Sequence, residues 1–197
     1  MSSLHREILA KKDYHQSMKM EITLQPGNII PSTSRGFRRG GMMDVTPLEW
    51  NEFFDKKLSL NINNDVFCVY TKGDKGPIFY MLHGGGYSGL TWAALTEELS
   101  SQVQCQIVAP DLRGHGDTIT TDELDLSTER QMEDIVAIHQ NICAGEAIPT
   151  FIIGHSMGGA LSVHVAASNR IENVVGIAVI DVVEGTAMEA LKTMKHF

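Results

Sequence analysis

Gly154-His155-Ser156-Met157-Gly158 is the stretch that most restricts what this chain can become. An apolar run, Thr150 to Ile153, precedes it and reads as a short buried strand. An alanine-rich run, Met157 to Ser168, follows it and reads as a helix. Glycines flanking the serine suit a corner so tight that side chains there would clash and the serine's own backbone is strained. Gly159 gives the helix room to approach the sheet. A serine held on such a corner stands at the carboxyl end of its strand, with its hydroxyl free to attack an acyl carbon. The five-residue pattern alone recurs by chance. The strand–turn–helix context carries the reading, together with a glycine-rich loop upstream that suits an oxyanion.

The rest of the chain repeats the alternation. Lys57 to Ile62 and Val66 to Tyr70 are strand-like, and Asn63-Asn64-Asp65 between them tolerates the left-handed geometry of a hairpin turn. Gly73 to Pro77 reads as a turn, and Ile78 to Leu82 as a strand buried on both faces. Trp92 to Leu99 reads as a helix, Ile107 to Ala109 as the next strand. Thr128 opens a long amphipathic helix with Met132, Ile135, Ile138 and Ile142 on one side, ended by Gly145. Val174 to Ile180 is another apolar strand, and Gly185 to Phe197 begins a helix. Further upstream, Thr46 and Pro47 suit the cap and first position of a short helix in which Trp50, Phe53 and Phe54 recur at helical spacing. Those aromatics read as packing residues, with a docking patch as the lesser option. Strands alternating with helices specify an α/β fold: a mostly parallel sheet with helices on both faces. Sites on such sheets lie at the carboxyl ends of the strands. His83 onward, Asp111 onward, Ser156 and Asp181 all fall there.

Bulk properties set limits. The 197 residues, 43% apolar, suffice for one domain with a real core. Residues 1–45 carry seven Lys/Arg against four Asp/Glu, whereas the remainder carries nine against twenty. Residues 1–43 are polar and rich in Pro, Ser, Arg and Gly, and are expected to form a mostly disordered basic tail; Ile22 to Leu24 is the one strand-like segment in it. Residues 44–197 form the folded domain. A net charge of −8 argues against a nucleic-acid surface. Cys68, Cys105 and Cys143 are widely spaced and odd in number, as expected of buried free thiols in a reducing compartment. No apolar run approaches the roughly 20 residues of a membrane span, and the first residues lack the apolar core of a secretion signal. A cytoplasmic or nuclear protein is expected, with no membrane and no nucleic acid among its partners.

Attack by Ser156 on an ester would create a tetrahedral oxyanion, which needs donors already aimed at it. The N–H of Met157, at the start of a helix whose dipole favours negative charge, is one. The other comes from the loop after Leu82, most simply from Gly85 or Gly86. The competing reading of that loop is a phosphate cradle, which the lack of a following G-K-[ST] disfavours. An acid must orient the base imidazole. Asp181, at the end of the strand after the elbow helix, fits the order serine, acid, histidine; Asp111 is its rival, and a plain helix cap or loop carboxylate is the bland alternative. The base is missing from this pattern. Only His196 follows Asp181, about 16 Å along a helix that begins near Gly185. His155 should point away from its neighbour Ser156, His164 reads as core, and His83 and His115 as residues that orient loops. The histidines make no metal-ligand spacing, so neither a metal nor a cofactor is expected.

Leu82-His83-Gly84-Gly85-Gly86, Ala109-Pro110-Asp111-Leu112-Arg113-Gly114-His115-Gly116 and Gly154-His155-Ser156-Met157-Gly158-Gly159 resemble the α/β-hydrolase superfamily. Ile180-Asp181-Val182-Val183-Glu184-Gly185-Thr186-Ala187-Met188, preceded by Val163-His164-Val165-Ala166-Ala167-Ser168-Asn169, is similar to a narrower group, the protein phosphatase methylesterases. The likeness runs from about Arg38 to Phe197. It implies a serine carboxylesterase that binds the protein phosphatase 2A catalytic subunit and removes the methyl ester from its C-terminal leucine, opposing a leucine carboxyl methyltransferase. It also implies Ser156 as nucleophile and Asp181 as triad acid. The family's catalytic histidine lies beyond position 197, after further strands and a cap. By resemblance, residues 44–197 are thus an incomplete α/β-hydrolase domain: a fragment, a short isoform or an incomplete gene model. Such a chain is expected to hydrolyse esters negligibly by itself, and to leave the strand that ends at Asp181 as a bare apolar edge. A non-catalytic phosphatase binder and a small-molecule esterase or lipase are the alternatives.

Overall fold

The computed structural model describes residues 48–182. The expected tail, the cap at Thr46 and Pro47, the helix from Gly185 and His196 lie outside the described residues. Six strands form one sheet: β1 (Lys56–Ile62), β2 (Asp65–Lys72), β3 (Ile78–Leu82), β4 (Gln106–Pro110), β5 (Thr150–His155) and β6 (Val174–Ile180), in the order β1-β2-β4-β3-β5-β6. β3 runs parallel to β4 on one side and to β5 on the other, and β5 parallel to β6. β2 is the antiparallel exception: it runs against β4 on one side and against β1 on the other, where the two form a hairpin whose turn residues Asn63 and Asn64 have φ of 50° and 71°. Two successive left-handed residues give the turn that matches strand twist, and asparagine tolerates that geometry.

The topology places the site. From β3 the chain crosses to β4 on one side, then returns to β5 on the other. The loops after β3 and β5 therefore meet beside each other at the carboxyl ends of their strands, where such a reversal opens a crevice.

Alternation along the central strands sends side chains to two separate cores. Ile78, Tyr80 and Leu82 of β3 face a cluster completed by Phe67, Val69 and Ile152, by Ile135, Val136 and Ile138 of α2 (Thr128–Cys143), and by Leu161 and Val165 of α3 (Met157–Ser168). Met81, from the same strand, faces Tyr70, Ile107, Ala109, Phe54 and Trp92 on the opposite side, where Ala93 and Leu99 of α1 (Ala93–Gln102) cover it. Helices thus pack on both faces, as the alternation predicts.

Two local expectations are corrected. The segment around Trp50 is a single 3-10 turn (Trp50–Glu52) closed by a capping box between Glu49 and Glu52, and Phe54 buries itself in the second core. His164, read from the sequence as core, is exposed. Gly158, Leu161, Ser162 and Val165 form the buried face of α3, and the 3.6-residue repeat sends position 164 outward. The three cysteines are free and buried, as expected.

A buried ion network braces the loop after β4. The Arg113 side chain is 0% exposed, and its guanidinium donates to Asp134 Oδ2 and Oδ1 at 2.6 and 2.9 Å, to Asp65 Oδ2 at 2.7 Å and to the Asp122 carbonyl at 2.8 Å. A fully buried guanidinium persists only when its donors are met this completely. Burial alone would raise the Asp65 carboxyl, but bonds from Thr121 N–H and Arg113 outweigh it and hold the group at about 2.

β6 pairs with β5 alone among the described residues. Val175, Ile177, Val179 and Ile180 are all more than a third exposed, as expected of an apolar strand at a sheet edge.

Candidate active site

Ser156 has φ 51° and ψ −115°, a region L-residues rarely occupy, and it caps α3 without any side-chain hydrogen bond. The side chain is exposed. Close packing explains why the flanking residues are glycines. A Cβ on Gly154 would collide with the Gly158 carbonyl, and one on Gly158 with the carbonyls of Leu82 and His83. The Ser156 N–H donates to the Ile180 carbonyl at 2.9 Å, which ties the corner to β6. Backbone strain of this kind persists where the surroundings over-determine it, and it clusters at functional sites.

The loop after β3 is held by two histidines. His83 is fully buried; its Nε2 accepts the Leu112 N–H at 2.9 Å, and its Nδ1 donates to the Gly84 carbonyl at 2.8 Å. Burial lowers its pKa, in keeping with this neutral form. His115 Nδ1 donates to the Arg113 carbonyl at 2.8 Å, and its Nε2 accepts the Gly86 N–H at 2.9 Å. Both therefore fasten the loop after β3 to the loop after β4, as their positions in the sequence suggest.

This arrangement separates the three oxyanion candidates. Gly86 (φ 79°) directs its amide to His115. Met157 begins α3 at the corner itself. A Cβ built on Gly85 would lie 4.0 Å from the Met157 sulfur, so these two residues adjoin. Among the described residues, neither the Gly85 nor the Met157 N–H has a hydrogen-bond partner.

The two carboxylate candidates also part. Asp111 is fully buried: Oδ1 accepts the Gly89 N–H at 2.7 Å and Oδ2 the Asp117 N–H at 2.9 Å. It ties loops together. Asp181 (φ 52°) follows β6, and its side chain is 74% exposed, with Oδ2 3.8 Å from His155 Nε2. The His155 ring thus turns toward the Asp181 carboxylate, a contact that nothing in the linear pattern announces.

Cys68, Asp111 and Asp117 bring one ligand atom each within 4.8 Å of one another. They do not suit a cation. Burial, then the Asp111 charge, pushes the Cys68 thiol up to about 12. Both Asp111 oxygens already accept amide hydrogens, and Lys57 pairs with Asp117.

A strand–serine–helix corner on a sheet of this order defines an α/β hydrolase. The Alpha/beta hydrolase family model matches residues 79–194, and the chain belongs to that family. Over 169 residues it is 54% identical to the "Probable protein phosphatase methylesterase 1" of Caenorhabditis elegans, covering 85% of this chain and 46% of that protein. Over 162 residues it is 44% identical to the protein phosphatase methylesterase 1 of Mus musculus, covering 80% of this chain and 42% of that protein. The chain thus spans less than half the length of these relatives. Among solved structures, the epoxide hydrolase VrEH1 of Vigna radiata matches with a TM-score of 0.59 at 26% identity, covering 71% of this chain and 46% of that one. The thioesterase domain from the curacin biosynthetic pathway matches with a TM-score of 0.57 at 24% identity, over 70% and 51% of the two chains. This second likeness is one of fold alone. No helix among the described residues is long and apolar enough to cross a membrane.

Proposed function

We infer that this chain carries the nucleophile, the acid and the oxyanion donors of a serine carboxylesterase acting on a protein methyl ester, that of the C-terminal leucine of the protein phosphatase 2A catalytic subunit. The observation that carries the reading is the strained, exposed Ser156, with the Met157 and Gly85 amides beside it unpaired among the described residues and Asp181 at the end of the neighbouring strand. The similarity to the methylesterase relatives supports the substrate class.

In this reading Ser156 Oγ attacks the ester carbonyl. The developing oxyanion is met by the N–H groups of Met157 and Gly85, each contributing about 3–4 kcal/mol when judged by removal. Collapse expels methanol and leaves an acyl-serine, which water then hydrolyses. Asp181 orients the imidazole that takes and returns the proton. That imidazole belongs to none of the described histidines. His83 and His115 are engaged between loops, His139 of α2 is hydrogen-bonded to Thr150 of β5, and His164 faces outward. His155 presents Nε2 to Asp181, while its Nδ1 is buried. The base therefore comes from a histidine outside the described residues.

The absence of a hydrogen bond from Ser156 to any described imidazole also favours a second reading, a binder that holds the phosphatase without demethylating it. One experiment separates the two. The protein is incubated with phosphatase catalytic subunit carrying a radiolabelled methyl ester, and both label release and co-precipitation are measured. Release that disappears in Ser156→Ala supports the esterase; co-precipitation with full retention of label supports the binder. Turnover of small esters with neither result makes it a small-molecule esterase. A cytoplasmic or nuclear location belongs to the same proposal, consistent with three unpaired buried thiols, and is checked by imaging a tagged chain.

A further inference from the structure

His155 precedes the nucleophile and has no role in the chemistry above. Its ring is nevertheless gripped on three sides. A Cβ on Gly84 would lie 2.8 Å from His155 Nδ1, so the backbone of the loop after β3 packs directly against the imidazole. Tyr87, from the same loop, meets the ring edge-on, with centroids 5.9 Å apart and planes at 71°. On the remaining side Nε2 stands 3.8 Å from Asp181 Oδ2. Nδ1 is buried and has no hydrogen-bond partner among the described residues.

Those surroundings select a tautomer. A neutral imidazole carries one proton, and the nitrogen without it is an acceptor. An unprotonated Nε2 would aim its lone pair at a carboxylate and bury an N–H at Nδ1 with no acceptor. Protonation at Nε2 instead aims a donor at Asp181 and leaves only a lone pair in the buried position. Asp181 has reason to need such a partner. It is a left-handed residue at a strand end, its carboxylate is 74% exposed, and His155 is its one charged or polar side-chain contact among the described residues.

We propose that His155 is a positioning residue: across 3.8 Å, longer than a direct hydrogen bond, its Nε2–H dipole steers Asp181 through Oδ2, so that Oδ1 is presented to the incoming base. The proposal rests on the reading of Asp181 as the triad acid. It explains how an exposed carboxylate keeps a fixed place relative to Ser156. The holding group is the residue covalently next to the nucleophile, and His155 pairs in register with Ile180, next to the acid. The loop that supplies Gly85 packs on the same ring, so nucleophile, acid and oxyanion donor share one anchor.

The test reads the tautomer directly. In the full 197-residue chain labelled with 15N-histidine, imidazole nitrogen shifts are recorded at alkaline pH. A His155 proton on Nε2 is expected, moving toward a mixture of tautomers in Asp181→Asn. A merely space-filling ring would not respond to that substitution. As a second readout, exchange of the Ser156 amide, bonded to the Ile180 carbonyl, should quicken roughly two- to fivefold in His155→Leu, the range of an exposed polar contact. It should return toward the parent value in His155→Gln, whose amide restores a donor near Nε2. A proton on Nδ1, or a tautomer indifferent to Asp181→Asn, overturns the proposal without touching the role of Ser156. Normal coupling of the two side chains in a protein whose Ser156 proves dispensable for methyl release would overturn the esterase reading, and the positioning role with it.

Discussion

Gly86 donates its amide hydrogen to His115 Nε2 at 2.9 Å, and this bond fastens the glycine-rich loop to the loop after β4. His115 must be in the Nδ1–H form, because Nδ1 already donates to the Arg113 carbonyl. Replacing His115 by Leu removes the acceptor and should destabilise the fold by about 1 kcal/mol, the usual net worth of one such bond. Hydrogen exchange at Gly86 should accelerate with it, whereas His115→Gln, which restores an acceptor, should recover part of the protection. Equal Gly86 exchange in all three proteins would show that the bond does not hold the loop.

The Arg113 network makes a stronger demand. Arg113→Met leaves Asp65 and Asp134 buried without their principal cation, and a loss of about 3–5 kcal/mol in urea denaturation is expected. Replacing Arg113, Asp65 and Asp134 together by apolar residues of similar volume should cost much less than that single change. If the single variant lost under 1 kcal/mol, the network would be ornamental.

Acid should expose the same network. The Asp65 carboxyl is held at about 2 against an ordinary 3.8. Lowered in the folded state, it stabilises fully above about pH 4 and loses that contribution as the pH falls toward 2, on the order of 2 kcal/mol in all. The difference in stability between wild type and Asp65→Asn, followed from pH 6 to pH 2, should shrink across that window alone.

His139 governs a different window. Burial on the inner face of α2 lowers its pKa from 6.5 to about 4, and its Nε2 lies 2.9 Å from Thr150 Oγ1 of β5. Between those values the unfolded chain binds a proton that the folded chain refuses, so stability falls as the pH drops from about 6.5 to 4 and is flat above. The full effect is on the order of 3 kcal/mol. His139→Gln should remove that slope while leaving the Asp65 slope below it intact. A wild-type stability unchanged between pH 7 and pH 4.5 would contradict the buried neutral imidazole.

What the sequence disclosed was what lies close along the chain. The elbow, the Asn63-Asn64 turn and the bounds of β3, α3 and β6 follow from runs of four to twelve residues, and the structure reproduces them. Arg113 went unread because its acidic partners stand 48 and 21 residues away, and nothing local marks an arginine as buried. His164 was misjudged because α3 is apolar on most of its surface, so periodicity gave no clear face. Asp181 was legible from chain order, but its contact with His155 needs two strands paired in register.

Gly159, like its neighbour Gly158, leaves no room for a side chain on α3. A Cβ there would run into Val182 Cγ2 and would also lie 3.0 Å from the Gly154 carbonyl and 3.2 Å from Val179 Cγ1. The backbone oxygen cannot rotate away, so relief must come from displacing α3 or the end of β6, which carries Asp181. Gly159→Ala should therefore lose about 1–3 kcal/mol, as overpacked sites do. It should also weaken the Ser156-to-Ile180 amide bond, read as faster exchange at Ser156. Gly85→Ala is the control. Its Cβ would touch only the Met157 sulfur, at 4.0 Å, so stability should change by less than about 0.5 kcal/mol, as at most unconstrained surface positions. If both variants were equally stable, α3 would not need its close approach to β6, and the placing of Ser156 relative to Asp181 would have to be set by something other than this contact.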